Sequence, residues 1–182
     1  MTFGPLVDAG WLREHLGDAD VRVIDLRWYL QGRDGREEYM RGHIPGSVFV
    51  DLEAVTGKEG GGRHPLPDAA GFEAAMRLAG VGAATRVVAY DDQAGAVAAR
   101  LWFLLGYFGH RAQAVLDGGM AAWEGPLETT VPHVAPGDFV RSCKLLVDLL
   151  KQIEDVAPEP ASELAHEART VVNRGVVAYT GV

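Results

Sequence analysis

The chain is 182 residues long, 48% hydrophobic and carries a formal charge of −8, enough apolar content to close one core of ~130 residues and leave about 40 to 50 over. Its acidic residues are scattered, and the sign of the charge argues against nucleic acid or an anionic membrane as partner, since both demand clustered Lys and Arg. No apolar run is long enough to cross a bilayer, Met1 to Asp8 shows no basic-then-apolar leader, and the single Cys143 cannot close an intramolecular disulfide, so a cytoplasmic protein is expected.

Asp8 can cap a short helix over Ala9 to Leu16, and Val21-Arg-Val-Ile-Asp25 reads as a strand. Arg33 to Arg41 predicts a short helix that stops at Gly42 in a left-handed helix end. Pro45-Gly46 turns the chain into a second strand, Ser47 to Val50. Thr56 to Pro67, with four glycines and two prolines, is a loop, and its Gly60-Gly-Gly62 lacks the lysine and Ser/Thr of a phosphate loop and reads as a hinge. Asp68 caps the next helix, whose apolar Phe72, Met76 and Ala79 recur at helical spacing until Gly80.

Arg86-Val-Val-Ala-Tyr90 is too short for a helix and fits a buried strand. Asp91 to Gly95 breaks it, and Ala96 to Phe108 is apolar nearly all round, which predicts a deeply packed helix. Ala112 to Leu116 is another strand, Asp117-Gly-Gly119 a turn, and Met120 to Trp123 a short helix. Strands alternating with helices predict an α/β fold with a central parallel sheet covered by helices on both faces. Ligand sites then lie at the carboxyl ends of the strands, first of all in the loop after Tyr90.

Beyond Leu127 the pattern changes to a Pro-containing linker, a helix over Lys144 to Glu154, an Ala-, Glu- and Pro-rich stretch, and Val176-Val-Ala-Tyr179, the same four residues as Val87 to Tyr90. This divides the chain into a domain at 5–127 and a linker with an incomplete second unit at 128–182. The tail's apolar residues, among them Leu145, Leu149, Val172 and Val177, need cover, which self-association through the tail would supply.

Several segments in one order resemble the N-terminal domain of the tandem rhodanese-type sulfurtransferases, the thiosulfate and 3-mercaptopyruvate family. They are Asp25 to Leu30, Gly32 to Tyr39, His43-Ile-Pro-Gly46, Tyr90-Asp91, Arg100-Leu-Trp102, Phe108-Gly-His110 and Leu116-Asp-Gly-Gly-Met-Ala-Ala-Trp123. The resemblance implies a rhodanese-like fold and two such domains in a complete protein, the working cysteine being in the second. There the cysteine opens a tight loop whose backbone N–H groups ring a persulfide or thiolate, an anion nest that the next helix N-terminus reinforces. Here Asp91 stands at the matching position of the first domain and Thr180 at that of the second, and neither can carry sulfur. The resemblance also implies that Glu53 and His64 face the second domain's loop and handle protons. A small sulfur donor is the expected partner only where a complete second domain is present.

The remaining candidates favour structural roles. Cys143 is followed by Lys-Leu-Leu-Val-Asp and not by the Cys-x-x-x-x-Arg of a working loop. Asp91 and Asp92 are adjacent at a strand end, where capping is a better reading than a paired-carboxylate acid/base site. His43 supports a turn, and His43, His64, His110 and His133 lack metal-ligand spacing, so neither metal nor cofactor is expected. Arg100, next to an apolar run, needs a partner, of which Asp25 is one candidate. It also stands nine residues after Asp91, where the family's working loop has an arginine five residues on, a spacing that predicts no ring of inward donors here. The rival to a sulfurtransferase half is a noncatalytic binding or regulatory module on the same fold.

Overall fold

A computed structural model describes residues 3–58, 62–139 and 166. The expected helix over Lys144 to Glu154, Cys143, the Val176 to Tyr179 strand and Thr180 lie outside the described residues. The chain divides into two compact units, Met1–Gly106 with His110–Val140 and Tyr107–Gly109 with Arg141–Val182.

The first unit is built on five parallel strands: β1 (Leu6–Val7), β2 (Val21–Asp25), β3 (Val48–Phe49), β4 (Arg86–Tyr90) and β5 (Gln113–Leu116), in the order β1-β5-β4-β2-β3. The central strand is therefore β4, paired with β2 from Val21↔Arg86 to Asp25↔Tyr90 and with β5 from Val87↔Gln113 onward. Both faces of this sheet are covered. Val21, Val23, Val88, Tyr90 and Leu116 pack with Trp11 and Leu12, while the alternate residues Ile24, Val87 and Ala89 are fully buried on the other pleat. Buried side chains on successive residues are the mark of a parallel sheet sandwiched by helices.

Four helices connect the strands: α1 (Ala9–His15), α2 (Gly35–Arg41), α3 (Ala69–Leu78) and α4 (Ala98–Tyr107). The first three begin alike, with Asp8, Asp34 and Asp68 each accepting a backbone N–H from the residue three positions on. Two elements extend the reading from sequence, the edge strand β1 and a 3-10 turn over Leu52–Val55 just before the expected loop.

Two local expectations need correction. Gly42 ends α2 with φ 165°, extended and not left-handed, because the chain runs straight on to an antiparallel bridge between His43 and Glu128. Nor is α4 buried all round: Ala98, Leu101, Leu104 and Leu105 form its buried stripe, while Phe103 is 49% exposed. No helix among the described residues is long and apolar enough to cross a membrane.

Candidate functional site

The carboxyl ends of β2 and β4 are held together by buried polar groups. Asp25, fully buried at the end of β2, accepts from Arg27 Nε and Nη2, the latter at 2.7 Å, from the Arg27 backbone N–H at 3.0 Å, and from Tyr90 Oη at 2.7 Å. Arg27 Nη2 also donates to the Gly42 carbonyl at 2.8 Å, and Tyr90 Oη receives the Ile44 N–H at 3.2 Å. One ion pair and one phenol thus fasten β2, β4 and the end of α2. Burial, and then the Asp25 charge, raises the Tyr90 phenol above its ordinary value, so it serves as a permanent donor. The partner of Asp25 is therefore Arg27 and not Arg100. Arg100 Nη2 instead donates to the Pro65 carbonyl at 2.8 Å, tying α4 to the Gly-rich loop, and its Nε has no partner among the described residues.

Immediately after β4 the backbone curls around the Asp91 side chain, which is fully buried. Asp91 Oδ1 accepts from the N–H groups of Gln93 and Gly95, each at 2.8 Å, and Oδ2 from those of Val97 and Ala98, each at 2.7 Å. Four backbone donors converge on one carboxylate, the last two belonging to the entry of α4. The curl requires left-handed backbone at two successive residues, Ala94 (φ 54°) and Gly95 (φ 89°), and the first of these is a strained conformation for a residue with a Cβ. From the other side, the Asp117–Gly119 turn presses against the loop. Met120 donates its N–H to the Asp91 carbonyl at 2.7 Å, and a Cβ on Gly119 would lie 2.5 Å from that oxygen.

The ring of inward donors is thus formed, contrary to the expectation drawn from the arginine spacing. That spacing measures where a side chain falls, whereas the ring is made by backbone amides, whose direction depends on φ at Ala94 and Gly95. The anion in the ring belongs to the protein. The carboxylate oxygens of Asp91 stand three bonds from Cα, as far along the side chain as the outer sulfur of a cysteine persulfide, and carry the same sign of charge. The capping role read for Asp91 is correct; the residues missed are the donors, which contribute no side chain to the site.

Asp92 points elsewhere. Its Oδ2 accepts from Tyr29 Oη at 2.5 Å and lies 3.6 Å from Arg33 Nη1, whose guanidinium covers the Tyr29 ring at 3.8 Å, while its Oδ1 has no partner among the described residues. Burial, followed by the bond to Asp92, raises the Tyr29 phenol above its ordinary value. Of the two residues expected to handle protons, Glu53 is exposed on the 3-10 turn Leu52–Val55. His64 is half-buried, edge-on to Trp28 at 5.0 Å between centroids, with Nδ1 lacking a partner among the described residues. No hydrogen bond or ion pair joins Glu53 to His64. His43 is fully buried, stacked on Tyr39 at 3.8 Å and bonded through Nδ1 to the Tyr39 carbonyl, which is a turn-supporting position. Among the described residues no group of three or more His, Cys, Asp or Glu could hold a metal.

Comparison with known proteins agrees with this architecture. The family model for the rhodanese-like domain matches residues 8–126, and a second, the DSHCT (NUC185) domain, matches residues 121–180, less than half of the chain. The 3-mercaptopyruvate sulfurtransferase of Escherichia coli strain K12 is 38% identical over 139 residues, covering 73% of this chain and 50% of its own. That of Homo sapiens is 39% identical over 163 residues, covering 83% and 54%. Thiosulfate/3-mercaptopyruvate sulfurtransferase 2 of Arabidopsis thaliana is 39% identical over 124 residues, 67% of this chain and 36% of its own. The crystal structure of SseA from Escherichia coli superposes with a TM-score of 0.72 at 31% identity, over 86% of this chain and 63% of that one. The chain spans between about a third and a half of the length of these curated relatives. With the rhodanese model covering most of its length, the chain belongs to the rhodanese-like domain family, in the thiosulfate and 3-mercaptopyruvate sulfurtransferase group.

Proposed function

We propose that this chain supplies the noncatalytic half of a sulfurtransferase and, as it stands, transfers no sulfur. The observation that carries the reading is the Asp91 carboxylate held by four backbone amides at the end of β4. Sulfur transfer through this loop needs a thiolate that attacks the donor and keeps its outer sulfur as a persulfide. A carboxylate does neither, and it engages the donors that would otherwise stabilise the persulfide. The same occupancy weakens the rival reading of the loop as a holder of external anions, since its amides are already bonded.

What the chain offers a complete second domain is its carboxyl edge. Glu53 is exposed there and open to a group brought against that edge, and His64 is half-buried beside Trp28, its buried Nδ1 without a partner among the described residues. In this reading they handle protons for a thiolate supplied by the second domain, and the sulfur donor binds only when that domain is complete. Purified chain supplied with thiosulfate or 3-mercaptopyruvate, and with cyanide or a thiol as acceptor, is expected to show no turnover above background. Turnover that disappears in Cys143→Ser would overturn the proposal and make Cys143 the nucleophile.

A further inference from the structure

The opposite, amino-terminal edge of the sheet carries a second feature, independent of the sulfur loop. A cleft of about 330 Å³ opens between the start of β2, the segment after α1, the Pro45-Gly46 turn and the strap of residues 132–135. Its walls are mixed, with the apolar Leu16, Val21, Val23, Pro45 and Val134 among them. Three side chains in it can carry charge: Asp18, Arg22 and His133. Asp18 is already paired, its Oδ2 lying 2.9 Å from Arg86 Nη2, and His133 is exposed. Arg22 is not paired. Its Nε is buried without a hydrogen-bond partner, and no carboxylate lies within ion-pair reach of its guanidinium among the described residues. The head group is nonetheless placed: a Cβ on Gly80 would stand 3.2 Å from Arg22 Nε, Arg22 Nη2 and the Ala135 carbonyl alike.

A half-buried guanidinium without a counter-charge is costly to maintain, and burial lowers its pKa from the ordinary arginine value, the sign of a desolvated cation. A cavity of this size that sets one or two placed polar groups beside apolar side chains is a usual form of small-molecule site. Because the Asp18 carboxylate lines the same cleft, a monoanion fits better than a dianion. We propose that this cleft binds a small monocarboxylate with an apolar body, its carboxylate on Arg22 and its hydrocarbon against the Leu16, Val21 and Val134 walls.

Hexanoate, its neutral analogue hexanamide, and inorganic phosphate are the probes, added to the full chain and followed by saturation-transfer NMR and by the Arg22 Nε–H resonance. Hexanoate is expected to bind and to move that resonance, with hexanamide about ten-fold weaker or more, the effect of one charge-assisted hydrogen bond. Arg22→Met should bring hexanoate down to the level of hexanamide, and Arg22→Lys should restore part of the difference. Absence of hexanoate binding, or equal binding of hexanoate and hexanamide, would overturn the proposal. So would hexanoate binding unchanged in Arg22→Met, or phosphate competing with hexanoate at equal concentration. Should Arg22→Met fail to fold, the resonance of the unmodified protein decides alone: no shift with hexanoate, or the same shift with phosphate, sinks the idea.

Discussion

The two ends of the sheet treat a buried charge in opposite ways. At the carboxyl end the Asp91 carboxylate receives four backbone N–H groups; at the amino end the Arg22 guanidinium has neither a hydrogen bond at Nε nor an ion pair. Also at the carboxyl end, Asp25 and Arg27, both buried, satisfy each other two residues apart. The difference teaches which charge serves the fold and which remains for something else. A saturated charge is part of the framework and is expensive to remove, whereas an unpaired one contributes little to stability and can go to a ligand.

The comparison sharpens first at Asp91. Asp91→Ala leaves four inward amides without an acceptor, and at about 1 to 3 kcal/mol for each unsatisfied buried group, offset by loop relaxation, we expect a loss of about 3 to 5 kcal/mol in urea unfolding. A loss under 1 kcal/mol would mean that the amides find water or one another. Next comes Arg27→Met, which strands the Asp25 carboxylate in the interior and should cost about 3 kcal/mol. Asp8→Ala removes one α1 cap and should cost about 1 kcal/mol, a scale for the two larger effects. Arg22→Met is the counter-case. It deletes a charge that holds no partner, so the midpoint of thermal unfolding should stay within a degree or two or rise, and a large fall would show a hidden bond.

A smaller effect concerns pH. Burial lowers the pKa of His110, more than the acceptor carbonyls of Thr85 and Ala112 raise it. The unfolded chain then binds a proton that the folded one resists, so this contribution to stability is present above the unfolded value near 6.5 and is lost as pH falls from there through the lowered folded value. His110→Gln should flatten that part of the stability profile between about pH 7 and 5, and an unchanged slope would remove His110 from the account.

Much of the frame was legible in the chain. Val21–Asp25 and Arg86–Tyr90 are β-branched runs between turn residues and form strands with those limits. Asp8 and Asp68 stand before apolar periodic segments and cap them. The segments His43 to Gly46 and Leu116 to Trp123 carried the resemblance that the family comparison bears out. What was hidden depends on backbone direction or on distant chain. β1 is two residues between Pro5 and Asp8, with no period to detect, and exists because β5 offers an edge. The nest depends on Ala94 adopting a left-handed conformation that its residue type disfavours, so side-chain spacing could only mislead. The Arg22 cleft is closed by residues 132–135, more than a hundred positions away.

The claim that unites the account is that the loop after Tyr90 is a formed anion nest with the wrong side chain in it. Its most direct test is the thiol pKa of Asp91→Cys in a Cys143→Ser background, measured by the pH dependence of alkylation. Four inward N–H donors and the entry of α4 should hold that thiol well below the free value of about 8.5, and a pKa at or above that value would contradict the nest.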